Sequence, residues 1–147
     1  VKFSHELLIN LPRAEMIPLM DSWENLYFWM EGLQSHEHLS GEAGKTGAVT
    51  KMMFKIRGRD VEMTETVIRH DFPDCFDADY RSPGIFSSVK NHFEIVNEKC
   101  TRWTQDCDFQ CTGFMRVILF LMPRAIRRQS HKPMQDFKKF AESRSTT

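Results

Sequence analysis

Met52-Met53-Phe54-Lys55-Ile56-Arg57-Gly58-Arg59-Asp60-Val61-Glu62-Met63 decides the fold. Apolar and charged residues alternate on both sides of one glycine, the period of a strand with a single buried face. A two-residue turn at Gly58-Arg59, glycine first as a type II′ turn requires, folds the run into a hairpin. Pairing outward from that turn sets Arg57 against Asp60 and Lys55 against Glu62 on one face. Ile56 with Val61, Phe54 with Met63, and Met52 with Glu65 share the other. Charges meet outside and apolar groups meet inside, so the register is self-consistent.

Further turns extend the pattern along the chain. A Pro83-Gly84 turn places Asp77 opposite Lys90 outside and Ala78 opposite Val89 inside. A three-residue turn at Glu98-Lys99-Cys100 sets His92 against Asp106 and Lys90 against Asp108 outside. Inside it sets Val89 against Phe109, Asn91 against Cys107 and Ile95 against Trp103. Phe72-Pro73 is a further turn; a one-residue slip there would exchange Phe76, Ala78 and Tyr80 for Asp77 and Asp79. In all, eight strand-like runs lie between Phe3 and Cys111, consecutive hairpins after Leu33.

The first strand, alternating through Phe3, His5, Leu7 and Ile9, stands apart. Asn10 is placed to cap a short helix with Pro12 in its first turn and Met16, Leu19 and Met20 on its apolar face. Ser22 is placed to cap a second helix, near Ser22 to Met30, in which Trp23, Leu26 and Tyr27 are spaced for burial. After the last strand, a long helical stretch runs from about Arg116 to Glu142. Ile126, Met134, Phe137, Phe140 and Ala141 form its apolar stripe, while Pro123 and Pro133 predict a kink or a division. One helix must cover the exposed face of a whole sheet. The run Met115 to Met122, ringed by arginines, is expected to be the buried first turns of that helix, the alternative being a lid that meets lipid.

The chain has 147 residues and a formal net charge of zero, which implies one domain spanning residues 1–147 and no polyanion partner. Charge is segregated. Residues 1–112 carry 12 Lys/Arg and 18 Asp/Glu, and residues 113–147 carry 8 and 2. This predicts a basic helix lying on an acidic sheet, with a membrane or anion site as the alternative. Cys75, Cys100, Cys107 and Cys111 have no CxxC spacing. Cys107 and Cys111, four apart on one strand, are separated by roughly 13 Å, too far for a disulfide. Reduced thiols and no leader ahead of the first strand predict a cytoplasmic protein. The longest apolar run, Val117 to Met122, is too short for stable membrane insertion.

The inner face contains more than a core. The register assigns Met52, Phe54, Ile56, Met63, Val67, Phe76, Val89, Phe93, Ile95, Trp103 and Phe109 to it. It also assigns Thr50, Glu65, Tyr80, Ser87, Asn91, Gln105 and Cys107, with Glu37 and His5 as possible additions. A polar group buried without a partner costs about 1–3 kcal/mol, so this set implies either a mutually bonded interior or a ligand cavity with a few convergent polar groups. The cavity is the reading adopted, with Ile126, Met134 and Phe137 contributed by the helix. Glu65, between Met52 and Tyr80, should have a raised pKa unless a cation reaches it. It would orient a ligand or exchange a proton; the plainer alternative is a carboxyl bonded to Tyr80 with no chemical role.

Other chemistry is not indicated. There is no G-x-S-x-G, no phosphate loop and no zinc spacing. His36-x-His38 puts two imidazoles on a strand face that the register turns to solvent, so no metal is expected. No cofactor is called for. Lys51, Lys55 and Arg57 form a small basic row without the interleaved aromatics of a nucleic-acid strip.

The order of strand, two short helices, six consecutive strands and long C-terminal helix resembles the SRPBCC superfamily, which contains START domains, polyketide cyclase/dehydrase-like proteins and the birch-pollen allergen type. Asn10 to Glu15 resembles the start of their first helix. Trp29 stands where they often carry a tryptophan, Gly44 to Gly47 resembles their G-x-x-G, and Phe137 to Glu142 resembles the end of their last helix. Pro133 departs from the pattern, and residues marking the ring-hydroxylase and hydratase branches are not matched. The resemblance implies an α+β helix-grip fold: a curved seven-stranded antiparallel sheet around a long C-terminal helix, with a deep cavity for a hydrophobic small molecule such as a lipid, quinone or polyketide. It implies no particular reaction. The expected function is binding or transport of such a ligand. A cyclase or dehydratase using Glu65 and Tyr80, or a protein-partner module, are the alternatives. Neither the ligand nor the oligomeric state is legible.

Overall fold

Six strands follow one another as hairpins, and the first strand of the chain returns to close one edge. The computed structural model describes residues 1–144. In chain order the elements are β1 (Lys2–Ile9), α1 (Arg13–Met20), α2 (Trp23–Trp29), β2 (Leu33–Ser40), β3 (Val49–Ile56), β4 (Arg59–Asp71), β5 (Cys75–Ser82), β6 (Ile85–Asn97), β7 (Cys100–Cys111), α3 (Phe114–Leu121) and α4 (Pro123–Arg144). The sheet has seven strands in the order β1-β7-β6-β5-β4-β3-β2, every pair antiparallel. Seven replaces the eight runs counted in the sequence. β4 and β6 are 13 residues long, and β4 carries a bulge between Val67 and Arg69 that interrupts its alternation.

The deciding hairpin turns two residues earlier in pairing than expected. Ile56 faces Arg59, Phe54 faces Val61, Met52 faces Met63 and Thr50 faces Glu65. The turn residues are therefore Arg57 and Gly58, with φ of 52° and 77°. Positive φ at both places gives the type I′ sense, whose twist matches that of the flanking strands. A shift of two leaves every side chain on its assigned face. The β6–β7 hairpin is displaced in the same way. Asn97 faces Cys100 across a two-residue turn, and Asn91 faces Gln105, Phe93 faces Trp103 and Val89 faces Cys107. The β5–β6 register is as expected, with Asp77 on Lys90 and Ala78 on Val89. The slip envisaged at Phe72-Pro73 is absent, because the bulge absorbs the odd residue at Ile68 and keeps Tyr80 beside Glu65.

Some expected placements are corrected. Ile56 and Ile95 are on the inner side of their strands but 46% and 58% exposed, since they lie at hairpin ends beyond the helices' reach. Glu37 pairs with Lys51 and makes an outward ion pair with it. His36 and His38 instead pair with Met52 and Thr50, on the inner-face side of edge strand β2. His36 stacks on Trp23 at 4.5 Å and bonds to the Tyr27 hydroxyl at 2.6 Å. Asn10 caps nothing; Pro12 holds the N-cap position of α1. Ser22 does cap α2, accepting from the Asn25 amide.

α4 fills one half of the inner face. Met134, Phe137, Phe140 and Ala141 are buried with Ile9, Leu11, Met16, Trp29, Phe93 and Trp103 in one cluster. The Phe137 ring meets Trp29 edge-on at 5.1 Å and Trp103 at 5.6 Å. The helical stretch is divided where Pro123 removes a donor: Met122 leaves helical geometry, with φ −133° and ψ 55°. Pro133 is accommodated within α4. The expectation that Met115 to Met122 is buried fails. Phe114, Val117, Phe120, Leu121 and Met122 are exposed, and Leu119 alone of α3 is buried. α4 lies on the sheet, but among the described residues its basic side chains make no ion pair with a strand carboxylate. Arg116, Arg124, Arg127 and Arg128 are exposed, and among the described residues none makes an ion pair.

Candidate functional site

The half of the inner face that the α4 core leaves free is built around Glu65 and Tyr80. They are direct cross-strand partners, with Thr50 on one flank and Ser87 on the other. The Tyr80 hydroxyl donates to Glu65 Oε2 at 2.9 Å. Glu65 is 9% exposed, and no basic group forms an ion pair with it among the described residues. Burial pushes its carboxyl pKa up, and the Tyr80 hydrogen bond only partly opposes this. The Tyr80 phenol is held well above its ordinary value by burial first, then by the Glu65 charge and hydrogen bond. The pair can hold and release a proton at the carboxyl, while the phenol stays a donor.

An apolar wall adjoins the pair. Phe3, Val89 and Cys107 form a buried cluster with Tyr80 and Phe109 packed against it, and Val67 is buried on β4. Burial raises the Cys107 thiol pKa, opposed by a contact with Ser130 Oγ at 3.8 Å. Phe3 also lines a cleft of about 200 Å³ at the division between α3 and α4, with Val1, Leu119, Pro123, Arg124, Ile126 and Arg127. Ile126, half-buried, is the expected helix residue found here.

Other expected residues lie elsewhere on the same face. Asn91 is a bonded hub, not a free polar group: its Nδ2 donates to Phe76 O, and its Oδ1 accepts from Trp103 Nε1 and Gln105 Nε2, each near 3 Å. Phe93, Trp103, Met134 and Phe137 belong to the closed core, with Phe76 packed against it. Met52 and Phe54 make a separate cluster with Leu33, flanked by Met63.

One feature of this face was only half legible. His5 packs against His131 of α4, ring centroids 4.6 Å apart and planes tilted by 35°, and His5 Nε2 and His131 Nδ1 are buried without a hydrogen-bond partner among the described residues. Burial, then His131 and Arg127, lowers the His5 pKa. His131 was passed over in the sequence, although it lies four after Arg127 and three before Met134, on the flank of the apolar stripe.

No protein-family model matches the chain, and no curated protein matches it. Solved structures do. A conserved protein from Geobacillus kaustophilus superposes with a TM-score of 0.83 at 14% identity, covering 97% of this chain and 96% of that one. Ara h 8.0201 gives 0.78 at 15% identity, over 97% and 98%. The Zhui aromatase/cyclase from Streptomyces sp. R1128 gives 0.76 at 15%, over 100% and 96%. These likenesses span 97–100% of the chain and show its fold: a seven-stranded antiparallel sheet gripping a long C-terminal helix, the helix-grip fold.

Proposed function

We propose that this protein binds a hydrophobic small molecule, a lipid, quinone or polyketide-like compound, between the sheet and the α3–α4 division. The Glu65–Tyr80 pair would meet the ligand's polar end. The observation that carries the reading is a buried carboxyl that, among the described residues, has no ion-pair partner, set in an apolar wall of Phe3, Val67, Val89, Cys107 and Phe109. Once ionised, such a group adds no stability to a fold, since burial disfavours its charged form. The cleft beside Phe3, about 200 Å³, is smaller than the roughly 300–1,000 Å³ usual for ligand sites. Uptake would therefore displace α3, the element least tied to the core. Ser87, Gln105 and Ile126 would contact the ligand, whereas Asn91, Phe93, Trp103, Met134 and Phe137 would hold the sheet to α4.

The raised carboxyl pKa also favours a second reading, a cyclase or dehydratase in which Glu65 exchanges a proton. Native mass spectrometry of freshly purified protein, with displacement of the fluorescent probe 1-anilinonaphthalene-8-sulfonate by candidate ligands, tests the first reading. A co-purified apolar compound, or probe displacement that Val89→Trp abolishes, is expected. A protein that carries no compound and takes up no probe overturns it.

A further inference from the structure

We propose that α3 and the arginines after it dock this protein on the surface of an anionic phospholipid bilayer. An ordinary amphipathic helix turns its apolar side inward; α3 does the reverse. Phe114 is 75% exposed, Phe120 84% and Leu121 69%, while Leu119 points into the protein. Phe114, Val117 and Leu121 recur at three- and four-residue spacing, which puts them on one outward face. Solvent is an unfavourable neighbour for so much contiguous apolar surface.

Charge identifies the occupant. Between Asp108 and Asp136 the chain carries Arg116, Arg124, Arg127, Arg128 and Lys132 and no acidic residue. Lys132 is bound to Glu31 and Asp136, but the four arginines are exposed and, among the described residues, without ion pairs. Apolar side chains flanked by unneutralised arginines match the two layers of a membrane surface, acyl chains beneath anionic headgroups. A symmetric second copy would bring two arginine rows together, which like-charge repulsion opposes. No described helix is long and apolar enough to cross a bilayer, so α3 would lie in the interface.

Sedimentation with vesicles tests this on the intact protein. Binding is expected to phosphatidylcholine vesicles containing about 30% phosphatidylglycerol and to be weak to phosphatidylcholine alone. Raising salt should weaken it. Phe120→Ser/Leu121→Ser and, separately, Arg116→Gln/Arg128→Gln should each reduce binding by about tenfold or more. These side chains are exposed, so thermal unfolding should be unchanged. Vesicle binding needs no small molecule, so it can fail or succeed apart from the ligand site. Absence of binding to anionic vesicles, or binding that neither double variant alters, overturns the proposal. So does a dimer that Phe120→Ser/Leu121→Ser dissolves in a protein that ignores vesicles.

Discussion

The Tyr80 hydroxyl lies 2.9 Å from Glu65 Oε2, across a β4–β5 pair in which the two residues are direct partners. The contact joins a phenol held protonated to a carboxyl biased toward protonation. When Glu65 is ionised, Tyr80 is its only described hydrogen-bond donor, and a single neutral donor compensates a buried charge poorly. The pair therefore favours a ligand group that donates to the carboxyl. The type I′ turn at Arg57-Gly58 and the bulge at Ile68 together put it there, because each shifts the register without turning Glu65 outward.

Glu65→Gln should raise stability or leave it unchanged at neutral pH. The Glu65 pKa is above its ordinary 4.5 in the folded state. Its contribution to stability is thus greatest below that value and is lost as pH rises through the folded pKa. Gln keeps an acceptor for Tyr80 and cannot ionise. Thermal melts of the two proteins should diverge, with the variant higher, from acid toward neutral pH. Tyr80→Phe should instead cost about 1–3 kcal/mol at neutral pH by orphaning the carboxyl. A Gln variant less stable at neutral than at acid pH, relative to the parent, would show that Glu65 is held as a stable carboxylate.

The faces of the strands were legible in the sequence and their partners were not. Alternation sorts side chains with period two, so register errors of two residues, at Arg57-Gly58 and at Glu98-Lys99, left Phe54, Glu65, Asn91 and Trp103 correctly inside. Burial was less legible. Ile56 and Ile95 carry the inner pattern to strand ends that no helix covers. Apolar content alone suggested that α3 was core, yet hydrophobicity does not state which side of a short helix has a partner. Nor could alternation separate Asn91, satisfied by three hydrogen bonds, from Glu65, satisfied by one. That difference depends on cross-strand neighbours and decides which polar residue is available to a ligand.

Arg57 should be improvable. It adopts φ 52° next to Gly58 at 77°, a region that disfavours residues bearing a Cβ by about 1–2 kcal/mol. Arg57→Asn, a residue suited to the first place of a type I′ turn, should add about 0.5–1 kcal/mol. Gly58→Ala meets no atom within 4 Å, so its expected loss of about 1 kcal/mol is purely conformational. Urea midpoints with unchanged slopes would report both. If the turn were type II′ at Gly58-Arg59, Arg57 would have ordinary strand geometry and Arg57→Asn would give no gain.

The fold should weaken in mild acid because of His5. Its ring lies tilted against His131 at 4.6 Å, with Nε2 buried and unbonded among the described residues. Burial, helped by His131 and Arg127, lowers its pKa below the ordinary 6.5. The unfolded chain then binds a proton before the folded one does, so stability is complete above 6.5 and declines as pH falls toward the lower folded value. Protonation would place a cation beside Arg127 at the seam of β1 and α4, loosening the grip where the helix crosses the sheet edge. Urea midpoints measured from about pH 7.5 down to about pH 5 should fall in the parent and fall less in His5→Phe, which keeps the aromatic contact and cannot titrate. An equal decline in both proteins would assign the acid sensitivity to other groups.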